Sequence, residues 1–251
     1  MTDKDDIKQQ LAEAKRDYEE VGGWQSFKSG EWLFKIVHKS FSNYFNKANV
    51  EYFESKYGTK DKEIIAKKLI AVAAKNAAIL GGVTGAAISS DELVAIFTGG
   101  EALVGIPANI AIAAAGVGGE AILLLRIQLQ LVANLAKLYG VPLDPDDPED
   151  ILVILAFALG GAAAEEAGKF GMKVGGKLAG LAVKAVLKKE TLAAFKRIAA
   201  KVGIKILQRS ILKYTVPIVS IGIGYGWNYT TTKKVGALAI KHFDQRAKES
   251  S

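Results

Sequence analysis

The apolar residues of this chain recur at helical spacing along most of its length. Between residues 29 and 57, large apolar side chains follow one another at steps of three and four, which places them on one face of a helix. The same pattern predicts further helices at residues 6–20, 61–80, 91–97, 107–139, 148–188, 191–214 and 229–246. We therefore predict an all-α fold, a compact multi-helix bundle whose core helices are rich in Gly and Ala and pack closely.

Glycine, proline and capping residues predict where these helices begin and end. Gly81 is expected to end the helix that starts near residue 61, and Gly140 is expected to end the helix that runs to residue 139. The glycines at residues 116–119 are expected to interrupt or kink the helix that contains them. Asp147 followed by Pro148 is a start signal for the next helix.

One segment, residues 219–225, fits two structures. Its alternation of large and small residues is typical of a strand, whereas its small residues four apart are typical of a close helix contact. Since no other segment offers a strand to pair with it, we predict a helix.

Charged and apolar residues must be segregated in this sequence. Half of the residues are apolar and the mean hydropathy is +0.18, although 24% of the residues are charged. The longest stretches without a charge, residues 102–119 and 214–232, approach the roughly 20 apolar residues of a membrane span. We favour buried helices, because the first stretch is dominated by Ala and Gly and the second contains Asn228 and four Thr.

The composition argues against catalysis. The chain has no Cys and only two His, His38 and His242, so disulfides, thiolate metal sites and Cys nucleophiles are excluded. The sequence GMKVGGK at residues 171–177 has P-loop spacing, but Leu178 stands where a Ser or Thr must bind magnesium. The acids at residues 144–150 do not fit a calcium loop, and a helix cap with a solvated turn is favoured. We expect no enzyme, cofactor or metal site.

A lone carboxylate, Glu120, lies in an otherwise apolar stretch. It is expected either to be buried with a perturbed pKa or to pair with Arg126 or a basic residue of another helix, and we favour pairing. Glu120 and Arg126 therefore form a candidate buried polar site.

The charge is concentrated in the last third of the chain. Residues 1–60 carry no net charge, residues 61–150 carry −5 and residues 151–251 carry +12. Two consecutive predicted helices each separate a cationic face from an apolar face. The residues of this basic stripe are Lys169, Lys173, Lys177, Lys184, Lys188, Arg197, Lys201, Lys205, Arg209 and Lys213.

This stripe has three candidate partners. An anionic lipid surface is favoured, because each Lys or Arg near it contributes about 1 kcal/mol. An acidic protein surface, including a membrane-protein partner, is the alternative. Nucleic acid is least favoured, because few aromatic residues are interleaved with the stripe.

Two segments resemble the EcsC family of bacterial proteins. They are GIPAN at residues 105–109 leading to LVANLAKLYGVPLDPDDPED at 131–150, and VPIVSIGIGYGWN at 216–228. The resemblance covers roughly residues 65–245 and implies a mostly helical protein of poorly defined biochemistry, in a family named for an operon that also encodes an ABC transporter. It divides the chain into an N-terminal amphipathic helical segment (1–60) and an EcsC-like helical domain (61–251).

These observations together predict a non-enzymatic protein that binds anionic membrane or lipid through basic amphipathic helices. The alternative is an interaction module for an acidic partner such as an ABC-transporter component. Residues 1–20 are mostly charged and have no apolar stretch of signal-peptide length, so we expect a cytoplasmic protein associated peripherally with the inner membrane.

Overall fold

Seven helices make up the described part of the chain. The computed structural model describes residues 4–84, 108–144, 150, 153–154 and 220–249. The helices are α1 (Lys4–Glu20), α2 (Gly23–Ser29), α3 (Glu31–Lys47), α4 (Val50–Tyr57), α5 (Lys62–Thr84), α6 (Ala108–Tyr139) and α7 (Ser220–Glu249). No strand occurs within these ranges, and the predicted all-α fold is confirmed.

Helix α6 lies at the centre of this bundle. It packs against α1, α3, α5 and α7, and from Val117 to Tyr139 only Gln130 and Lys137 are exposed. Its apolar side chains join those of the surrounding helices in one core. The helices of the first 60 residues contribute to this core through side chains such as Phe27 and Trp32, which are fully buried.

Helices α5 and α7 form the most extensive helix pair of the bundle. Gly236 of α7 lies against Ile70, and Gly82 of α5 lies near the ring of Tyr225, so the two helices run antiparallel. A Cβ at Gly236 would stand 2.7 Å from the Cδ1 atom of Ile70. Glycine is therefore needed here for close approach, which offsets its cost of about 1 kcal/mol within a helix.

Helix α1 crosses α6 at two adjacent glycines. A Cβ at Gly118 would overlap the ring of Tyr18, and one at Gly119 would stand 3.1 Å from the backbone nitrogen of Lys15. Tyr18 is buried in this contact and meets the ring of Phe27 edge-on, with 5.1 Å between the ring centroids. Burial raises the pKa of the Tyr18 hydroxyl above its usual range, and Glu19 adds to the effect.

Glycine runs do not interrupt α5 and α6, contrary to our prediction. Helix α5 continues through Gly81 and Gly82 to Thr84, and α6 is continuous from Ala108 to Tyr139. Packing against neighbouring helices holds these glycines in helical conformation. Gly140, by contrast, ends α6 as predicted, with φ of +71° and a hydrogen bond from Val141 N to Ala136 O of 2.9 Å.

The prediction of a single continuous helix for residues 29–57 is wrong, because the structure has two helices there. The chain leaves helical geometry at Ala48, and the Asn49 side chain accepts a 2.7 Å hydrogen bond from the backbone nitrogen of Tyr52. Asn49 therefore caps a new helix, α4, which the apolar spacing does not distinguish from α3. The separate helix α2 was also not predicted.

The segment with two interpretations is helical. Residues 220–225 form the first turns of α7, so the predicted helix is confirmed over this range. The helices predicted at residues 91–97 and 191–214, and nearly all of that at 148–188, lie outside the described residues.

We predict that Gly236→Ala lowers the free energy of unfolding by about 1–2 kcal/mol, because the new methyl group collides with Ile70. The matched control is Gly226→Ala in the same helix. No atom lies within 4 Å of a Cβ at that position, so stability should stay the same or rise by up to about 1 kcal/mol. Urea denaturation followed by circular dichroism measures both. Equal effects of the two substitutions would contradict the proposed α5–α7 contact.

The burial of the Tyr18 hydroxyl predicts that the protein loses stability at high pH. An unfolded Tyr ionises near pH 10, whereas burial keeps Tyr18 protonated in the fold, so stability is full below about pH 10 and falls as the pH rises toward the folded pKa. Tyr18→Phe should therefore lose less stability between pH 8 and pH 11 than the parent protein. The exposed Tyr52 provides the control, Tyr52→Phe, which should follow the parent. If the two variants show the same pH dependence, the burial of Tyr18 is not the cause of the loss of stability at high pH.

Candidate functional site

The basic stripe predicted at residues 169–213 lies outside the described residues. Its ten Lys and Arg side chains stay a prediction from the sequence. The described helices do contain the other predicted site residues, Glu120 and Arg126, and a second group of lysines.

Arg126 of α6 forms an ion pair with Asp17 of α1. The Asp17 carboxylate also accepts a 2.8 Å hydrogen bond from Lys39 of α3, and Lys39 reaches Glu20 at 2.9 Å. The side chain of Asp17 is only 9% exposed and that of Arg126 16%, whereas Lys39 and Glu20 face solvent. Asp17 therefore joins three helices through one largely buried carboxylate.

The hydrogen bonds that Lys39 donates to Asp17 and then Glu20 raise the pKa of this lysine above its usual value. Lys39 is consequently charged over the whole physiological range. This cluster neutralises Arg126 within the bundle and so stabilises the packing of α1, α3 and α6.

Glu120 lies on a different side of α6 and contacts α7. It is 1% exposed, and Asn228 donates a hydrogen bond of 3.5 Å from Nδ2 to its Oε1 atom. Thr232, one turn after Asn228, is fully buried. Six residues separate Glu120 from Arg126, which is about 9 Å along the helix and about 120° around it. The two residues thus have separate partners on opposite helices.

A third polar contact ties the segment after α6 to α7. Arg246 lies 2.9 Å from one carboxylate oxygen of Asp150, and the other oxygen accepts a 2.9 Å hydrogen bond from the backbone nitrogen of Asp144. No group of three or more acidic or His side chains within the described ranges is arranged to hold a metal ion.

The exposed faces of α5 and α7 carry lysines interleaved with large apolar side chains. On each helix, two exposed lysines and two exposed apolar residues fall within an arc of about 80° or less at 100° per residue. We define the α5–α7 surface as Ile64, Lys68, Val72 and Lys75 of α5 together with Trp227, Lys234, Leu238 and Lys241 of α7.

This surface combines positive charge with apolar contact area. Its four large apolar side chains are between 42% and 45% exposed, and none of its eight residues is acidic. Along the whole of α5 and α7 the sequence contains nine Lys and Arg but only the acids Glu63, Asp244 and Glu249. An exposed helix surface normally mixes charges of both signs for pairing, so this separation is a functional signal.

Sequence reasoning missed the α5–α7 surface. The signal was present as Lys67-Lys68 and Lys233-Lys234, but the two pairs lie far apart in the chain. Only the packing of the other faces of α5 and α7 against each other and against α6 shows that these residues are exposed.

One helix stretch in the described part, Gly116–Tyr139 within α6, is long and apolar enough to cross a membrane. The bundle buries 72% of its most apolar window. No family model, curated protein or solved structure matches this chain. The resemblance to the EcsC family stays a prediction.

We predict that Asp17→Asn destabilises the protein by about 2–4 kcal/mol, because it leaves the largely buried Arg126 without its counter-charge. Glu20→Gln is the matched control, since Glu20 also binds Lys39 but is exposed, and it should cost about 0–1 kcal/mol. Urea unfolding at low and high salt measures both. A cost for Asp17→Asn no larger than that for Glu20→Gln would refute the role of Asp17.

Proposed function

We propose that this protein binds reversibly to the surface of anionic membranes and catalyses no reaction. The observation that carries this proposal is the α5–α7 surface. Lysines attract anionic headgroups over a distance, and exposed Trp and Leu side chains fit the boundary between headgroups and acyl chains. A bundle that presents both on one pair of helices has the chemistry of a peripheral membrane protein.

The lysines and apolar side chains of this surface can supply enough free energy for peripheral binding to an anionic membrane. Each lysine near an anionic surface contributes about 1 kcal/mol, less as salt screens it, so four lysines contribute a few kcal/mol. Burial of apolar side chains such as Trp227 adds about 25 cal/mol per Å² removed from water. The basic stripe at residues 169–213 would supply further positive charge of the same kind.

Peripheral binding is favoured over insertion of α6. Its two central polar side chains have partners on other helices, Arg126 with Asp17 and Glu120 with Asn228. Moving α6 into lipid would break both contacts and expose the glycine-lined face that holds α1. The cytoplasmic leaflet of the inner membrane, being anionic, is the surface we propose.

We predict that the protein sediments with vesicles containing anionic lipid and that salt weakens the binding. Lys68→Glu combined with Lys234→Glu should reduce the binding at least about tenfold, because two attractions become two repulsions. The control combines Lys8→Glu with Lys47→Glu, which changes the net charge equally on other helices and should bind within about twofold of the parent.

Three outcomes would contradict this proposal. Equal sedimentation with anionic and zwitterionic vesicles would exclude an electrostatic membrane role. Loss of binding to the same extent in both charge-reversal variants would show that net charge, rather than the α5–α7 surface, is responsible. Capture of an acidic transporter component without any vesicle binding would establish the alternative function instead.

A further inference from the structure

A groove opens where the first turn of α5, the end of α6 and the last turns of α7 meet. Its volume is about 860 Å³. Four lysines and two acids line it, so its lining has a net positive charge. The charged lining residues are Lys62, Glu63, Lys67, Lys241, Asp244 and Lys248. Lys241 belongs also to the α5–α7 surface, which makes the groove continuous with it.

The charges of this groove divide into paired and unpaired groups. Lys248 lies 2.6 Å from Asp244, and Lys67 lies 3.7 Å from Glu63, so both acids have a lysine partner. Within the described ranges no carboxylate lies at ion-pair distance from Lys62 or Lys241. Two ammonium groups, one on each helix, are therefore available to an anion.

Tyr139 supplies a neutral donor to the same groove. The side chain lines the groove although the residue is only 9% exposed, and its hydroxyl has no hydrogen-bond partner in the described part of the chain. Burial raises the pKa of Tyr139, and the nearby acid Asp244 adds to the effect. The hydroxyl therefore stays protonated and can donate a hydrogen bond.

We propose that this groove binds a phosphomonoester group, with Lys62 and Lys241 holding its charge and Tyr139 donating a hydrogen bond to one of its oxygens. A phosphomonoester carries up to two negative charges and three terminal oxygens, which suits two ammonium groups and a hydroxyl arranged around an open groove. A phosphodiester has fewer charges and terminal oxygens and satisfies fewer of these donors. A membrane lipid with a terminal phosphate and a free organophosphate share this chemistry.

Where the ligand is a lipid, this inference rests on the proposed membrane function and adds a headgroup preference to it. The first experiment compares vesicles of phosphatidic acid with vesicles of phosphatidylglycerol at matched surface charge. The parent protein should bind the phosphomonoester lipid about fivefold or more tightly, as one added charge-assisted hydrogen bond gives. The preference should disappear in the variant combining Lys62→Gln and Lys241→Gln and should weaken in Tyr139→Phe.

The matched control combines Lys68→Gln with Lys75→Gln, which removes two lysines of the α5–α7 surface outside the groove. This variant should lose affinity for both lipids alike and keep the preference. A preference that depends equally on both pairs of lysines would refute the groove as its origin.

The second experiment titrates the protein with glycerol phosphate in the absence of lipid, with sulfate at equal ionic strength as the control, and follows Tyr139 by NMR. Binding that requires Lys62 and Lys241 assigns the groove to a free organophosphate, even if no vesicle binds. A preference seen only on vesicles assigns it to the lipid. Equal binding to both lipids together with no response to glycerol phosphate would overturn the inference and leave the proposed membrane function intact.

Discussion

The burial of α6 is the constraint on which the rest of the bundle depends. This helix lies among five others and is apolar over most of its length, yet it carries Glu120 and Arg126 within its buried part. A charged group inside a protein costs several kcal/mol unless another group compensates it. Asp17 of α1 compensates the charge of Arg126, and Asn228 of α7 gives the buried Glu120 carboxyl a hydrogen-bond partner. The positions of α1 and α7 around α6 therefore follow from the polar residues of α6 as much as from its apolar ones.

The outer face of the bundle follows from this arrangement. With α6 covered, α5 and α7 pack antiparallel through the close contact of Gly236 with Ile70, and their faces away from α6 and from each other point to solvent. These faces need no core contacts, so the lysines and apolar residues on them are not explained by folding. The same helices also meet the end of α6 at the groove lined by Tyr139. The structure thus distinguishes the residues that hold the bundle together from the exposed residues that are available for binding.

Periodicity in the sequence was sufficient to predict the fold class and most of the helices in the described part of the chain, because apolar residues at helical spacing rarely fit a strand. It failed where packing overrides local propensity. Gly81 and Gly82 remain helical, and Asn49 divides a continuous apolar pattern by capping a new helix. Periodicity also could not predict which residues pair across long distances in the sequence. Arg126 takes Asp17 as partner through a tertiary contact that no local pattern encodes.

The central claim is that the α5–α7 surface meets anionic lipid, and Trp227 is the direct reporter of that contact. It is the exposed one of the three tryptophans, whereas Trp32 is buried and Trp24 partly so. We predict that vesicles of anionic lipid shift the fluorescence emission to shorter wavelength, that lipid-attached quenchers reduce it, and that Trp227→Phe abolishes both effects. An unchanged emission spectrum at saturating lipid, or a shift that persists in Trp227→Phe, would contradict the account.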